Sequence, residues 1–112
     1  MRILVLEDEP LIALMLADWL QELGHDVVGP FGEANRALPL IDGGGIDAAL
    51  LDLHLRDGDS CAVATRLQSD GIPFAFASGD GGNNLPQAYR GCPILAKPFQ
   101  FESIEALLQT WA

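Results

Sequence analysis

The sequence has few basic residues, few cysteines and no long apolar run. Six Lys and Arg stand against sixteen Asp and Glu, a formal net charge of −10, which argues against binding to nucleic acid or to an anionic membrane surface. Cys61 and Cys92 form no C-x-x-C motif, so both are interpreted as reduced thiols. The first apolar run ends at Glu7, too early for a signal peptide or a membrane span. Together these absences predict a soluble protein of the cytoplasm.

The length and composition fit one hydrophobic core. The chain has 112 residues, of which 49% are hydrophobic, and we expect a single domain over residues 1–112 that buries roughly two thirds of its unfolded surface. Among the six basic residues there is one lysine, Lys97. Any reaction that requires a lysine therefore has one possible carrier.

Five short apolar runs alternate with helical patterns. The runs cover residues 3–6, 25–29, 48–51, 72–77 and 93–96, as expected of strands buried on both faces. Apolar spacing predicts helices over residues 11–23, 32–41 and 60–70, and a last one from Phe101 to Trp111. The second of these would have Pro39 in its last turn. The stretch after Gly79 is unfavourable to helix, so a fourth helix before the last strand is expected to be short or disordered. This alternation predicts an α/β fold, with a five-stranded parallel sheet and helices on both faces.

Chemically functional residues follow four of the predicted strands: Glu7 and Asp8, then Asp52, Ser78 and Lys97. Such residues gather at the carboxyl ends of the strands in an open parallel sheet. Like charges 4 Å apart repel by about 4 kcal/mol at an effective dielectric constant near 20, so three clustered carboxylates need a cation or altered ionisation. Mg²⁺ is the simplest cation of this kind. Taken singly, each residue also fits an ordinary surface or helix-start position, and it is their coincidence at one edge that favours a site.

The ordered set of motifs resembles the receiver domain of two-component response regulators over residues 2–111. The motifs are Leu-Glu-Asp-Glu-Pro at residues 6–10, Leu-Asp-Leu-His-Leu at 51–55 with Asp-Gly at 57–58, Ala-Ser-Gly at 77–79 and Lys-Pro-Phe at 97–99. Residues 73–79 are also similar to a subgroup of single-domain receivers common in alphaproteobacteria. The resemblance implies a flavodoxin-like (βα)5 fold whose fourth helix is short or disordered.

The resemblance also implies what the residues at the strand ends do. Asp52 would be the nucleophile that accepts a phosphoryl group from a phosphohistidine, and Ser78 and Lys97 would contact that group. The implied Mg²⁺ ligands are Glu7, Asp8, Asp52 and the backbone carbonyl of His54. The Lys97–Pro98 peptide bond would be cis. The only reactions implied are phosphorylation and dephosphorylation of the chain itself, so its status as an enzyme stays open.

This sequence departs from the usual receiver pattern at three places. Glu7 stands where Asp is commoner, which lengthens one arm of the metal site by a methylene. Ile94, three residues before Lys97, replaces the usual aromatic switch residue, and Tyr89 is the candidate substitute. His54 and Asp80 occupy the positions that tune hydrolysis of the aspartyl phosphate in this family.

The leading hypothesis is a stand-alone receiver, because no linker or effector region follows Trp111 and Ala112. Its expected partners are a sensor histidine kinase or a phosphotransfer protein and a downstream protein target, and it would be a monomer or a phosphorylation-dependent dimer. It could signal, relay phosphate or drain it. A receiver-shaped module that binds without phosphorylation is the alternative. A hydrolase of the haloacid-dehalogenase type would need an acid where His54 stands, and a flavin-binding protein would need a phosphate loop after the first strand.

Overall fold

A computed structural model describes residues 1–79, 89 and 91–111. Within these residues the elements follow one another in the order β1 (Arg2–Leu6), α1 (Pro10–Glu22), β2 (Asp26–Phe31), a 3-10 helix (Ala34–Arg36), α2 (Leu38–Asp42), β3 (Ala48–Asp52), β4 (His54–Leu55), β5 (Gly58–Asp59), α3 (Cys61–Ser69), β6 (Phe74–Ser78), β7 (Ile94–Ala96) and α4 (Phe101–Trp111). None of the helices in these ranges is long and apolar enough to cross a membrane.

The main sheet has five strands in the order β2-β1-β3-β6-β7, and all neighbouring pairs are parallel. The predicted five-stranded parallel sheet is thus confirmed. The chain first moves outward from β1 to β2 and then crosses back to β3 on the other side of β1. This reversal of direction opens a crevice at the carboxyl ends of β1 and β3, where doubly wound folds bind ligands.

Alternate residues of the central strands feed two separate cores. Ile3 and Val5 of β1 pack with residues of α1 and α4, whereas Leu4 and Leu6 pack on the opposite face with residues of α2 and α3. These four side chains are at most 1% exposed. Helices therefore cover both faces of the sheet, which explains why its strands read as continuous apolar runs.

Two local predictions are wrong. The single helix predicted over residues 32–41 is a 3-10 helix followed by α2, and Pro39 lies in the first turn of α2, where its missing N–H costs no hydrogen bond. The second strand extends through Pro30 to Phe31, because β2 lies at the edge of the sheet, where a proline is tolerated. The predicted fourth helix falls on residues 80–88, which lie outside the described residues.

Candidate functional site

The structure brings the predicted strand-end residues to one edge of the sheet. Glu7 and Asp8 follow β1, and Asp52 ends β3, whose Leu51 pairs with Leu6 of β1. Ser78 ends β6 and pairs with Ala96 of β7, the residue before Lys97. Parallel register therefore places all of these residues at the same level, as the sequence predicts.

A lysine bridges two of the carboxylates. Lys97 Nζ lies 2.8 Å from Glu7 Oε1 and 2.9 Å from Asp52 Oδ2, to which it donates a hydrogen bond. The Glu7 side chain is 1% exposed and the Asp52 side chain 8%. Charges this deeply buried must be paired, and Lys97 supplies one positive charge for the two carboxylates.

The lysine does not satisfy every oxygen of the site. Glu7 Oε2 accepts a hydrogen bond from the backbone N–H of Glu9 at 3.2 Å. Glu7 Oε1 is also buried, and its partner among the described residues is the Lys97 ammonium at 2.8 Å, an ion pair without the alignment of a hydrogen bond. The charge of this oxygen therefore depends on a nearby cation for compensation.

The shared environment shifts the pKa values of both Glu7 and Lys97. Burial raises the pKa of Glu7 above its ordinary value, and the neighbouring Asp52 carboxylate adds to the rise, while Lys97 opposes it. Burial by itself would lower the pKa of Lys97, but its close contacts with the Glu7 and Asp52 carboxylates outweigh burial, and the Lys97 pKa is raised. Lys97 therefore stays charged at neutral pH, while the carboxylates compete for one neutralising charge.

A third carboxylate completes a cluster that could hold a metal ion. Glu7, Asp8 and Asp52 each offer an oxygen, and these oxygens lie within 4.8 Å of one another. Mg²⁺ binds its oxygen ligands at about 2.0–2.1 Å, so the three carboxylates would have to move closer together to share an ion. Oxygen donors are what a hard divalent cation prefers, and the donor set of this cluster therefore fits Mg²⁺.

The remaining predicted site residues lie around this cluster. The His54 N–H donates to Asp52 Oδ1 at 3.3 Å, and its side chain is exposed. Ser78 is 5% exposed, and its carbonyl accepts a hydrogen bond from Lys97 N at 3.2 Å. The Lys97–Pro98 peptide is cis, as the resemblance implies. Asp80 lies outside the described residues.

Tyr89 and Ile94, the two residues of the predicted switch region, pack in the core that contains residues of α2 and α3. Tyr89 is 7% exposed, and its ring contacts Phe76 edge to face with centroids 5.6 Å apart. Its hydroxyl bonds with the Thr65 hydroxyl and donates to the Cys61 carbonyl at 3.4 Å. Ile94 begins β7 and is partly buried against the same core. The tyrosine is thus attached to α3 rather than to the acidic cluster.

The sequence analysis missed a short hairpin beside the site. β4 and β5 pair antiparallel, and the two residues between them, Arg56 and Asp57, contact other loops of the same edge. Asp57 accepts backbone hydrogen bonds from Ala34 at 3.0 Å and Asn35 at 3.1 Å, which lower its pKa. Its partners lie more than twenty residues away in the chain, so no local pattern could have predicted the contact.

A five-stranded sheet of this order, with an acidic cluster and a lysine at its switch point, defines the class of response regulator receiver domains. The chain belongs to that family. SdrG from Sphingomonas melonis Fr1 is 41% identical, with a TM-score of 0.86 and coverage of 98% of this chain and 94% of SdrG. The BeF3-activated conformation of SdrG gives a TM-score of 0.82. No protein-family model matches the chain.

Two further proteins support the assignment. A response regulator receiver domain (CheY-like) from Methylobacillus flagellatus is 26% identical with a TM-score of 0.86, and the match covers 99% of this chain and 98% of that one. The transcriptional regulatory protein TcrA of Mycobacterium tuberculosis is 41% identical over 113 residues, which cover 96% of this chain and 44% of TcrA. This chain spans about half the length of the curated relatives it matches.

Proposed function

We propose that Asp52 accepts a phosphoryl group from a phosphohistidine on a partner protein, with the aid of Mg²⁺. The observation that carries the proposal is the position of Asp52, whose carboxylate is buried at a strand end between a charged lysine and two further carboxylates. A carboxylate paired only for stability has no need of two acidic neighbours, which repel it. Phosphoryl transfer does need this mixture of negative ligands and a positive group.

The metal would be held by Glu7, Asp8, Asp52 and the backbone carbonyl of His54. When bound, it would neutralise charge on the oxygens of the group in transfer. The three carboxylates already lie near one another, which would lower the cost of assembling the site.

In the transfer itself, an oxygen of Asp52 forms a bond to phosphorus while the P–N bond to the partner's histidine breaks. The electron pair of that bond goes to the imidazole nitrogen, which takes a proton from solvent and leaves as neutral imidazole. Lys97, which donates to Asp52 at 2.9 Å, would pair with an oxygen of the transferred group and offset its charge. Ser78 would donate its hydroxyl to another of these oxygens.

The loss of the phosphoryl group, by attack of water on the aspartyl phosphate, would be tuned by His54 and Asp80. The His54 side chain is exposed and follows Asp52 by two residues, so it would stand beside the path of an attacking water. The lifetime of the phosphoryl group would set how the chain acts, as a signal, a relay or a drain for phosphate.

Proteins are the proposed partners, namely a sensor histidine kinase or phosphotransfer protein and a downstream target. The net charge of −10 disfavours nucleic acid as a target of this chain. Phosphorylation would change the surface near β6 and β7, where Ser78 and Lys97 lie. We place this activity in the cytoplasm, where the free cysteines Cys61 and Cys92 would stay reduced.

The test is an amide spectrum of the ¹⁵N-labelled chain with beryllium fluoride and Mg²⁺. Wild type should show shifts centred on residues after β1, β3 and β6, and Asp52→Asn should show none of the beryllium-dependent shifts. Unchanged spectra in wild type, or an equal response in Asp52→Asn, would instead favour a module that binds partners without phosphorylation.

A further inference from the structure

The hairpin formed by β4 and β5 is attached to the loop that follows β2. The Arg56 N–H donates to the Gly32 carbonyl at 3.2 Å, and Asp57 accepts the N–H groups of Ala34 and Asn35. These contacts keep the backbone of Arg56 in one place beside the acidic cluster. The Arg56 side chain therefore extends from a backbone position that these hydrogen bonds define.

The guanidinium of Arg56 lies between two loops. Its Nη2 donates to the backbone carbonyl of Asp8 at 3.3 Å. A Cβ added to Gly32 would lie 3.0 Å from Arg56 Cζ and 3.2 Å from its Nε and Nη1, closer than side chains normally approach. Gly32 is not among the glycines with positive φ, so an alanine at this position would crowd the guanidinium without adding backbone strain.

Of the three acids in the cluster, Asp8 has the fewest contacts of its own to hold it in place among the described residues. Glu7 and Asp52 are buried and bonded to Lys97, and backbone N–H groups donate to both of them. Asp8 is only partly buried, and it precedes Glu9 and Pro10, where α1 begins. The hydrogen bond from Arg56 is a contact on the peptide that carries the Asp8 carboxylate.

We propose that Arg56, seated against Gly32, is a positioning residue for the metal ligand Asp8. It acts through the Asp8 carbonyl and touches neither the metal nor the phosphoryl group. This inference rests on the proposed function, because it gives Arg56 a purpose only if Asp8 binds Mg²⁺.

Positioning and simple charge make opposite predictions for Mg²⁺ affinity. If Arg56 acted only as a positive charge near three carboxylates, its removal would make the site more negative and Mg²⁺ would bind more tightly. If Arg56 holds Asp8 in place, its removal weakens Mg²⁺ binding, as loss of an outer partner of a metal ligand does. The sign of the change therefore separates the two explanations.

The experiment measures the Mg²⁺ dissociation constant by isothermal titration calorimetry at constant ionic strength, without any phosphodonor. Arg56→Gln removes the hydrogen bond and the charge, whereas Gly32→Ala displaces the guanidinium and keeps the charge. Arg36→Gln is the matched control, because Arg36 has the same charge but its guanidinium lies over Phe31, 5.6 Å from the ring centroid. Urea unfolding of each variant shows that the fold is retained.

We expect Arg56→Gln and Gly32→Ala each to weaken Mg²⁺ binding by a few-fold, less than the roughly tenfold or greater loss caused by removing partners of the ligating side chain itself, and Arg36→Gln to stay close to wild type. Tighter or unchanged binding in Arg56→Gln would overturn the inference, and so would an unchanged constant in Gly32→Ala. Failure of wild type itself to bind Mg²⁺ would count against the proposed metal site instead.

Discussion

Replacement of Lys97 by methionine tests the electrostatic account of the site. Each of its ion pairs, at 2.8 and 2.9 Å, represents an attraction of about 6 kcal/mol at an effective dielectric constant near 20. Desolvation of the charges offsets most of this, and removal of one partner from a buried pair typically costs about 3–5 kcal/mol. The Lys97 side chain is 21% exposed, which places the expected loss near the lower value. We expect Lys97→Met to lower the free energy of unfolding by about 3 kcal/mol in EDTA.

Magnesium should reverse much of that loss. The variant leaves the carboxylates of Glu7 and Asp52 without their cation, so Mg²⁺ should stabilise it more than it stabilises wild type. Urea unfolding followed by far-UV circular dichroism, with EDTA and with excess Mg²⁺, measures both effects. Adding Glu7→Gln to Lys97→Met should recover part of the loss, since one of the unpaired charges is then gone. A Lys97→Met variant within about 0.5 kcal/mol of wild type in EDTA, the scatter of an ordinary surface substitution, would refute this reasoning.

Three more predictions concern single side chains. Because the pKa of Glu7 is raised in the folded chain, the folded state holds that proton more tightly than the unfolded state. The contribution of Glu7 to the free energy of unfolding therefore falls as pH rises from the ordinary value of 4.5 through the folded pKa. Over that interval, urea titrations should show Glu7→Gln becoming more stable relative to wild type. A difference in unfolding free energy that does not change with pH would contradict this. The pKa of Asp57 is lowered, so Asp57→Asn should have a lower free energy of unfolding than wild type at neutral pH. This difference should vanish as pH falls through the folded pKa of Asp57. A difference of the same size in acid would contradict a contribution from the ionised carboxylate. Tyr89→Phe removes the hydroxyl bonded to Thr65 and should lower the free energy of unfolding by about 1 kcal/mol, as measured by thermal unfolding. The same substitution made in a Thr65→Val variant should cost less. An equal cost there would show that the two hydroxyls do not stabilise each other.

The sheet was predictable because its strands are buried on both faces. Leu4 and Val5 point to opposite cores. Because the side chains on both faces of the strand are apolar, the strand forms an unbroken apolar run that is easily recognised in the sequence. The second helix was less predictable. Pro39 can end a helix or begin one, and its neighbours in sequence do not distinguish these cases.

The candidate site was predictable for a similar reason. Parallel strands that end in Glu7 and Asp52 must bring those residues to one edge, whatever their separation in sequence. The support around the site was not predictable in this way. Arg56 reaches Asp8, 48 residues away, through a hairpin of two residues per strand, and the space left by Gly32 is visible only once the loops are in place.

The most direct test of the central claim is to locate the phosphoryl group in the chain. Wild type would be incubated with phosphoramidate and Mg²⁺, treated with borohydride, which reduces an aspartyl phosphate to homoserine, and mapped by peptide mass spectrometry. The account predicts homoserine at position 52, dependent on Mg²⁺, and none in Asp52→Asn. Reduction at another acidic residue, or none at all in wild type under conditions that label a control receiver domain, would contradict it.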